Sequence, residues 1–266
     1  MEELKKKQRE ERGQVGRAEI KKYEHIPLDE LGVLLTSEQP QKRTIAATLL
    51  GKKRITRFIP QLCKGLLDEK SLYARIAISE ALGEMGEPAV IPLIALLGRI
   101  GNNQETTLPK KYFNKKSFPL ARDLAARTLV KIGKPAIPGL VGQIKNCDGF
   151  QTQQAIDALG GIVSKTGEAG ALPVLLQALA DYRNNEVTIW KIIRALSAFK
   201  QDGAVEVLLR YLTHTQSAIR WEAARGLGLA GIASGKTVQA LQNLLSDQES
   251  EVRKAAEKAL AQLAVG

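Results

Sequence analysis

The nine residues Val252-Arg-Lys-Ala-Ala-Glu-Lys-Ala-Leu260 decide the fold, because the same phrase recurs along the chain. Moving towards the N-terminus it returns as Ile219-Arg-Trp-Glu-Ala-Ala-Arg-Gly-Leu227 and Thr188-Ile-Trp-Lys-Ile-Ile-Arg-Ala-Leu196. Further copies run from Gln151 to Leu159, Ala121 to Leu129, Ala74 to Leu82 and Lys42 to Leu50. The closing leucines lie 32, 47, 30, 37, 31 and 33 residues apart, one period with two insertions. A fixed period of this length marks a repeat architecture, in which each unit buries its apolar face against its neighbours.

Wound as an α-helix, the phrase places positions one, five, eight and nine on one arc and turns positions three and seven away from it. The arc holds small or aliphatic residues, as in Ala74, Ile78, Ala81 and Leu82. A second helical pattern precedes each phrase and often opens on proline or glycine: Pro88-Ala-Val-Ile-Pro-Leu-Ile-Ala-Leu-Leu97, Pro135-Ala-Ile-Pro-Gly-Leu140 and Ala171-Leu-Pro-Val-Leu-Leu-Gln-Ala-Leu179. Proline suits a first helical turn, whose N–H groups have no intrahelical acceptor. Gly83, Gly86, Gly133, Gly160 and Gly228 follow the phrase and are expected to end its helix. Asp68, Asp148, Asp181 and Asp247 fall in the turns within pairs and are expected to cap the second helix.

A helix pair whose second member carries Val/Ile-Arg-x-x-Ala-Ala-x-Ala-Leu-Gly resembles the HEAT-repeat family, and more narrowly the short HEAT-like repeats of phycobilin lyases. The resemblance runs from about Pro27 to Val265. It implies an all-α, right-handed α-solenoid (superhelix) of about seven helix pairs, with the second helices lining a concave face. Arginine stands at position two in Arg43, Arg75, Arg122, Arg220 and Arg253, but Thr152 and Ile189 replace it in the fourth and fifth copies. A polar ladder between repeats is therefore expected to weaken there. The expected organisation is a charged tail or frayed helix over 1–24, then a single repeat domain over 25–266 with a loop insertion near 101–118. That insertion sets Lys110, Lys111, Lys115 and Lys116 around Tyr112 and Phe113.

Under the implied geometry, positions three and seven look into the groove. Along the chain they are Thr44/Thr48, Ile76/Glu80, Asp123/Arg127, Gln153/Asp157, Trp190/Arg194, Trp221/Arg225 and Lys254/Lys258. The two tryptophans of the chain share a position in adjacent repeats, each with an arginine four residues later. Aromatic and arginine side chains carry much of the energy of binding surfaces. The candidate binding residues are thus Trp190, Lys191, Arg194, Trp221, Arg225, Lys254 and Lys258. The same pairs also suit a structural role, each indole covered by its own arginine.

Charge narrows the class of partner. Lys and Arg number 39 against 28 Asp and Glu, a formal net charge of +11, which favours anionic partners. The leading expectation is a non-enzymatic scaffold that binds a protein or peptide with acidic features. A nucleic-acid partner is the alternative. The HEAT-like alkylpurine DNA glycosylases are similar in length, charge and groove residues. That similarity implies Asp157 as the acidic group, Arg194 and Arg225 towards phosphates, and Trp190 or Trp221 against the base. Gln153 departs from it, standing where that family supplies an aromatic residue. The lyase resemblance implies a third reading, a linear tetrapyrrole with its propionates on Arg194, Arg225 or Lys258.

Catalytic and metal motifs are weak. Cys63 and Cys147 stand far apart, and His25 and His214 occupy a segment end and a turn. No catalytic residue, metal site or cofactor is expected. Gly226-Leu-Gly-Leu-Ala-Gly231 spells a dinucleotide fingerprint but falls at the end of a repeat helix, without the strand that such a fingerprint follows. The nearly apolar run from Ala89 to Gly98 is about half of the ~20 residues a bilayer demands. Met1-Glu-Glu-Leu-Lys-Lys-Lys lacks a signal-peptide core, so a cytoplasmic location without membrane insertion is expected.

Overall fold

In a computed structural model, residues 1–100, 105–109, 121, 123–146 and 149–265 are described. Arg122, Cys147, Asp148 and the insertion's lysines, Tyr112 and Phe113 lie outside them. The described residues contain no strand. Two helices come first, α1 (Glu2–Glu11) and α2 (Arg17–Lys22). Seven pairs follow: α3 (Leu28–Leu34) with α4 (Pro40–Lys52), α5 (Ile59–Asp68) with α6 (Leu72–Met85), and α7 (Val90–Ile94) with α8 (Leu124–Ile132). Then come α9 (Ile137–Asn146) with α10 (Gly149–Thr166), α11 (Leu172–Asp181) with α12 (Glu186–Leu196), α13 (Asp202–Tyr211) with α14 (Ser217–Ala230), and α15 (Gly235–Asn243) with α16 (Ser250–Val265). Six of the phrases fall wholly in the second helix of their pair, as their periodicity predicts; the copy ending at Leu129 enters α8 only from Leu124, with Asp123 at the N-cap.

Where the repeat pattern reads as one domain from residue 25, the chain groups into two compact units. Unit 1 comprises 1–102 and 123–139, and unit 2 comprises 103–122 and 140–266. Within unit 1, the end of the charged N-terminal segment is tied to the repeats. Thr44 Oγ1 donates to the Gly13 carbonyl at 2.7 Å, and Gln41 Nε2 donates to the Glu10 carbonyl at 2.7 Å. Ser71 Oγ donates to the Arg12 carbonyl at 2.6 Å. The helix α1 itself buries no residue.

Inside each unit the second helices pack side by side, α4 on α6 and α14 on α16 most extensively. Their arcs are sealed: Leu50, Leu82, Leu129, Leu159 and Leu196 are fully buried, and Leu227 nearly so. Glycine makes the approach possible. A Cβ on Gly51 of α4 would lie 2.5 Å from the Ala81 Cα of α6, and one on Gly228 of α14 would lie 2.8 Å from the Ala259 Cα of α16. The same register thus appears in both units: the residue after one phrase sits on position eight of the next. This corrects the expectation for Gly83, Gly160 and Gly228, which lie inside α6, α10 and α14. Gly86 and Gly133 do end their helices, at φ 72° and 83°.

The aspartates of the turns also serve differently from the capping expected of them. Asp68 and Asp181 are the last residues of α5 and α11. Side-chain caps come instead from Asp123 on α8, Asn185 on α12 and Ser234 on α15. Asp247 receives both Nε (2.7 Å) and Nη2 (2.9 Å) of Arg220 in the preceding repeat, while Arg220 Nη1 donates to the His214 and Thr215 carbonyls of its own turn. Arg43 makes the same set, with Glu69 (2.7 and 2.8 Å) and the Ser37 and Glu38 carbonyls. Position-two arginine therefore fastens its own turn and the next one together. Such a fork uses the planar geometry that only guanidinium offers.

Three outcomes follow for stability. Gly228→Ala is expected to lower the urea midpoint by an amount equivalent to roughly 1–3 kcal/mol, the usual cost of overpacking. Gly142→Ala, in the interior of α9 with open space at its Cβ, is expected to raise stability by about 0.5–1 kcal/mol through backbone entropy. Equal effects of the two substitutions would contradict the close packing of α14 on α16. Arg220→Lys is expected to destabilise in the same assay, since an ammonium cannot fasten both turns at once.

Candidate functional site

The predicted binding residues all fall in unit 2 but not in one environment. On α16, Lys254 and Lys258 are exposed, and Lys254 Nζ lies 2.7 Å from Glu251. On α14, Trp221 and Arg225 are partly exposed. Arg225 Nη1 lies 2.8 Å from the Glu222 carboxylate, and its guanidinium sits 6.0 Å from the Trp221 ring centroid. On α12, Trp190, Lys191 and Arg194 are buried. Position three and seven side chains therefore become steadily more enclosed from α16 through α14 to α12.

The enclosure of α12 is a correction to the picture of Trp190 and Arg194 in an open groove: the helix packs against both α10 and α14, and ion pairing compensates the charges buried there. Every residue of α12 from Val187 to Leu196 is buried, as is every residue of α10 from Thr152 to Val163. Lys191 Nζ lies 2.6 Å from Asp157 Oδ2 on α10 and 2.6 Å from Glu105 Oε2. Arg194 Nη2 lies 2.5 Å from Asp157 Oδ1 and 3.9 Å from Glu105 Oε2, while its guanidinium stacks 4.4 Å from the Trp190 ring centroid. Two cations thus meet two carboxylates under the surface, and one carboxylate comes from outside the repeat helices.

Ionisation follows from that set. Burial opposes the charge on Asp157, but the Arg194 and Lys191 cations outweigh it and hold the carboxyl below the ordinary aspartate range. Burial likewise opposes the charge on Arg194, and Asp157, Glu222 and Glu105 reverse the balance and raise its pKa. Both oxygens of Asp157 are occupied by cations, which leaves neither poised to take a proton or face an electrophile.

Polar valences remain open beside the ion set. Trp190 Nε1 and Gln153 Oε1 are buried and lack a hydrogen-bond partner among the described residues. Gln153 Nε2 donates to Thr188 Oγ1 at 3.3 Å. The repeats that lost position-two arginine (Thr152 and Ile189) are the ones joined by this inner cluster, so polar linkage moves from the outer turn to the buried face. Asp157 was legible as a position-seven residue, but its engagement was not. Glu105 carried no signal at all, because nothing in the repeat pattern brings residue 105 to Lys191.

Elsewhere the chemistry is sparse. Gly226, Gly228 and Gly231 lie within or cap α14, with Gly231 in the left-handed region at φ 69°. His25 is exposed, whereas His214 stacks on Tyr211 at 5.6 Å, and burial lowers its pKa. Burial pushes the Cys63 thiol up to about 11. Among the described residues no group of His, Cys, Asp or Glu is placed to hold a metal, and no helix is long and apolar enough to cross a membrane.

The sign of the pH effect is fixed by Asp157. Its pKa is depressed on folding, so its contribution is present above the ordinary carboxylate range and is lost as pH falls below about 4. Asp157→Asn should therefore destabilise at neutral pH by roughly 3–5 kcal/mol, the cost of leaving a buried cation unpaired. The deficit against the native chain should narrow as the pH of the urea titration approaches 3. A deficit independent of pH would contradict the assignment.

A family model described as HEAT repeats matches residues 138–227 and 172–261. No curated protein sequence matches the chain. Among solved structures, it is similar to a designed armadillo repeat protein in complex with the peptide (KR)4, at 21% identity, covering 89% of this chain and 99% of that one with a TM-score of 0.45. Human deoxyhypusine hydroxylase in complex with glycerol is 18% identical over 93% and 89% of the two chains, with a TM-score of 0.40. The complex of CpcE and CpcF of phycocyanin lyase from Nostoc sp. PCC7120 is 20% identical over 90% and 95%, with a TM-score of 0.35. These likenesses concern the fold alone. The HEAT-repeat match over 138–261, set in a succession of helix pairs, gives the chain a HEAT-like repeat-solenoid fold.

Proposed function

We propose that the protein is a non-enzymatic binding scaffold, and that unit 2 receives a protein or peptide segment with acidic and apolar features on the face formed by α14 and α16. One observation carries this reading. Trp221 on α14 and Lys254 and Lys258 on α16 occupy the outward positions of two helices in direct contact, so a partly exposed indole and two exposed cations share one face, with Arg225 set behind the indole against Glu222. Aromatic surface offers apolar contact area at low entropic cost, and the cations select for carboxylates. The net charge of +11 adds long-range attraction for anionic partners.

Binding of a fluorescent glutamate-rich peptide containing leucines tests the proposal. The native chain should bind it with an affinity that weakens as salt is raised. Trp221→Ala combined with Lys254→Ala and Lys258→Ala should reduce affinity by roughly tenfold or more, equivalent to about 1.4 kcal/mol. Tight binding of duplex DNA instead, with log affinity falling steeply against log salt, would replace the acidic peptide with a phosphate backbone.

A further inference from the structure

The charge arithmetic of the buried cluster points to a second receiving site on the same unit. Lys191 and Arg194 bring two positive charges to a place where the repeat helices α10 and α12 supply one carboxylate, Asp157, for them. The second, Glu105, precedes α8 in sequence, lies outside the repeat helices and reaches Lys191 at 2.6 Å with a side chain itself only 10% exposed. On the same two helices the indole N–H of Trp190, whose ring stacks on Arg194, and the carbonyl oxygen of Gln153, one turn before Asp157, are unpartnered, both on residues less than 5% exposed. A donor and an acceptor left open beside an ion pair cost free energy at every moment the site stays as it is. A ligand with a carboxylate and an adjoining peptide group would meet all four.

We propose that Lys191, Arg194, Trp190 and Gln153 form a carboxylate-binding site for a glutamate or aspartate side chain of an acidic protein segment, and that Glu105 is its intramolecular occupant. Glu105 competes with the partner for the same two cations. The peptide backbone flanking the incoming carboxylate supplies the carbonyl for Trp190 Nε1 and the N–H for Gln153 Oε1. Asp157 stays in place, fixing both cations. This inference rests on the acidic-segment reading above but involves α12 rather than α14 and α16. Sequential engagement follows: the exposed cations and Trp221 take the segment first, and an acidic residue of that segment then exchanges with Glu105. Because a self-occupied site lowers apparent affinity by the fraction of time it stands open, removing the occupant should strengthen binding.

The test compares the native chain with Glu105→Gln and Glu105→Ala in full-length form, titrated with the glutamate-rich peptide and with a single-stranded oligonucleotide. Fluorescence anisotropy reports affinity, indole emission reports the surroundings of Trp190, and circular dichroism reports helix content. The expected result is peptide affinity raised roughly tenfold or more in both variants, with an emission change on binding that shrinks when Trp190→Phe is added, the remainder coming from Trp221. Adding Arg194→Gln to Glu105→Gln, which removes one of the two competing cations, should abolish the gain. Folded variants with unchanged peptide affinity would overturn the inference, while native binding that depends on Trp221, Lys254 and Lys258 would leave the scaffold reading standing. Absence of peptide binding in every form would sink both. A gain for the oligonucleotide alone would overturn carboxylate selectivity. Loss of helix content in both single variants would show Glu105 to be a fixed structural member and would likewise overturn the proposal.

Discussion

The contact on which the structure depends is the meeting of glycine and alanine between consecutive second helices. Gly51 faces Ala81 and Gly228 faces Ala259 at distances that a single added methyl would violate. A helix has only a narrow apolar arc in this phrase, and a narrow arc can be sealed only if the neighbouring backbone comes close. Close approach brings the closing leucines of both helices into dense packing, where many weak dispersion contacts accumulate. It also locks the register, because the contact specifies which turn of one helix meets which turn of the next. Positions three and seven therefore align from repeat to repeat, and side chains far apart in sequence share one face.

Charge reinforces that register in two physically different ways. At the outer turns, Arg220 with Asp247 and Arg43 with Glu69 join neighbouring repeats through forks that also satisfy turn carbonyls. Where position two is Thr152 or Ile189, the linkage lies inside, between Asp157, Lys191, Arg194 and Glu105. A buried ion set contributes little net stability relative to apolar packing, because desolvation offsets attraction. It strongly penalises any arrangement that separates its members. The inner cluster thus holds α10, α12 and the Glu105 segment together more by excluding alternatives than by deepening the native well.

The same division explains how much of the candidate site was readable. Trp221, Arg225, Lys254 and Lys258 are where a helical period of outward positions puts them, and pairing them required only that adjacent repeats be adjacent in space. Trp190, Lys191 and Arg194 obey the same period yet are closed off, and the period has no means of registering that. Glu105 lies outside every copy of the repeat phrase, so its arrival at Lys191 could be seen only in three dimensions. The glycines show a related limit. Gly83, Gly160 and Gly228 were expected as helix ends, but Gly228 instead serves a close backbone approach, for which the local sequence offers the same signal.

The sequence by itself determined that the chain is all helical, that it folds as seven pairs, and which side of each second helix faces its neighbours. Periodicity carries that information because burial of an amphipathic stripe is a local requirement repeated at every unit. Tertiary structure alone decided which outward positions stay accessible, which acid each cation meets, and where polar groups are left without partners. Those outcomes depend on desolvation and charge pairing between residues remote along the chain. Such energies depend on distance in space, which no pattern of neighbours in sequence encodes.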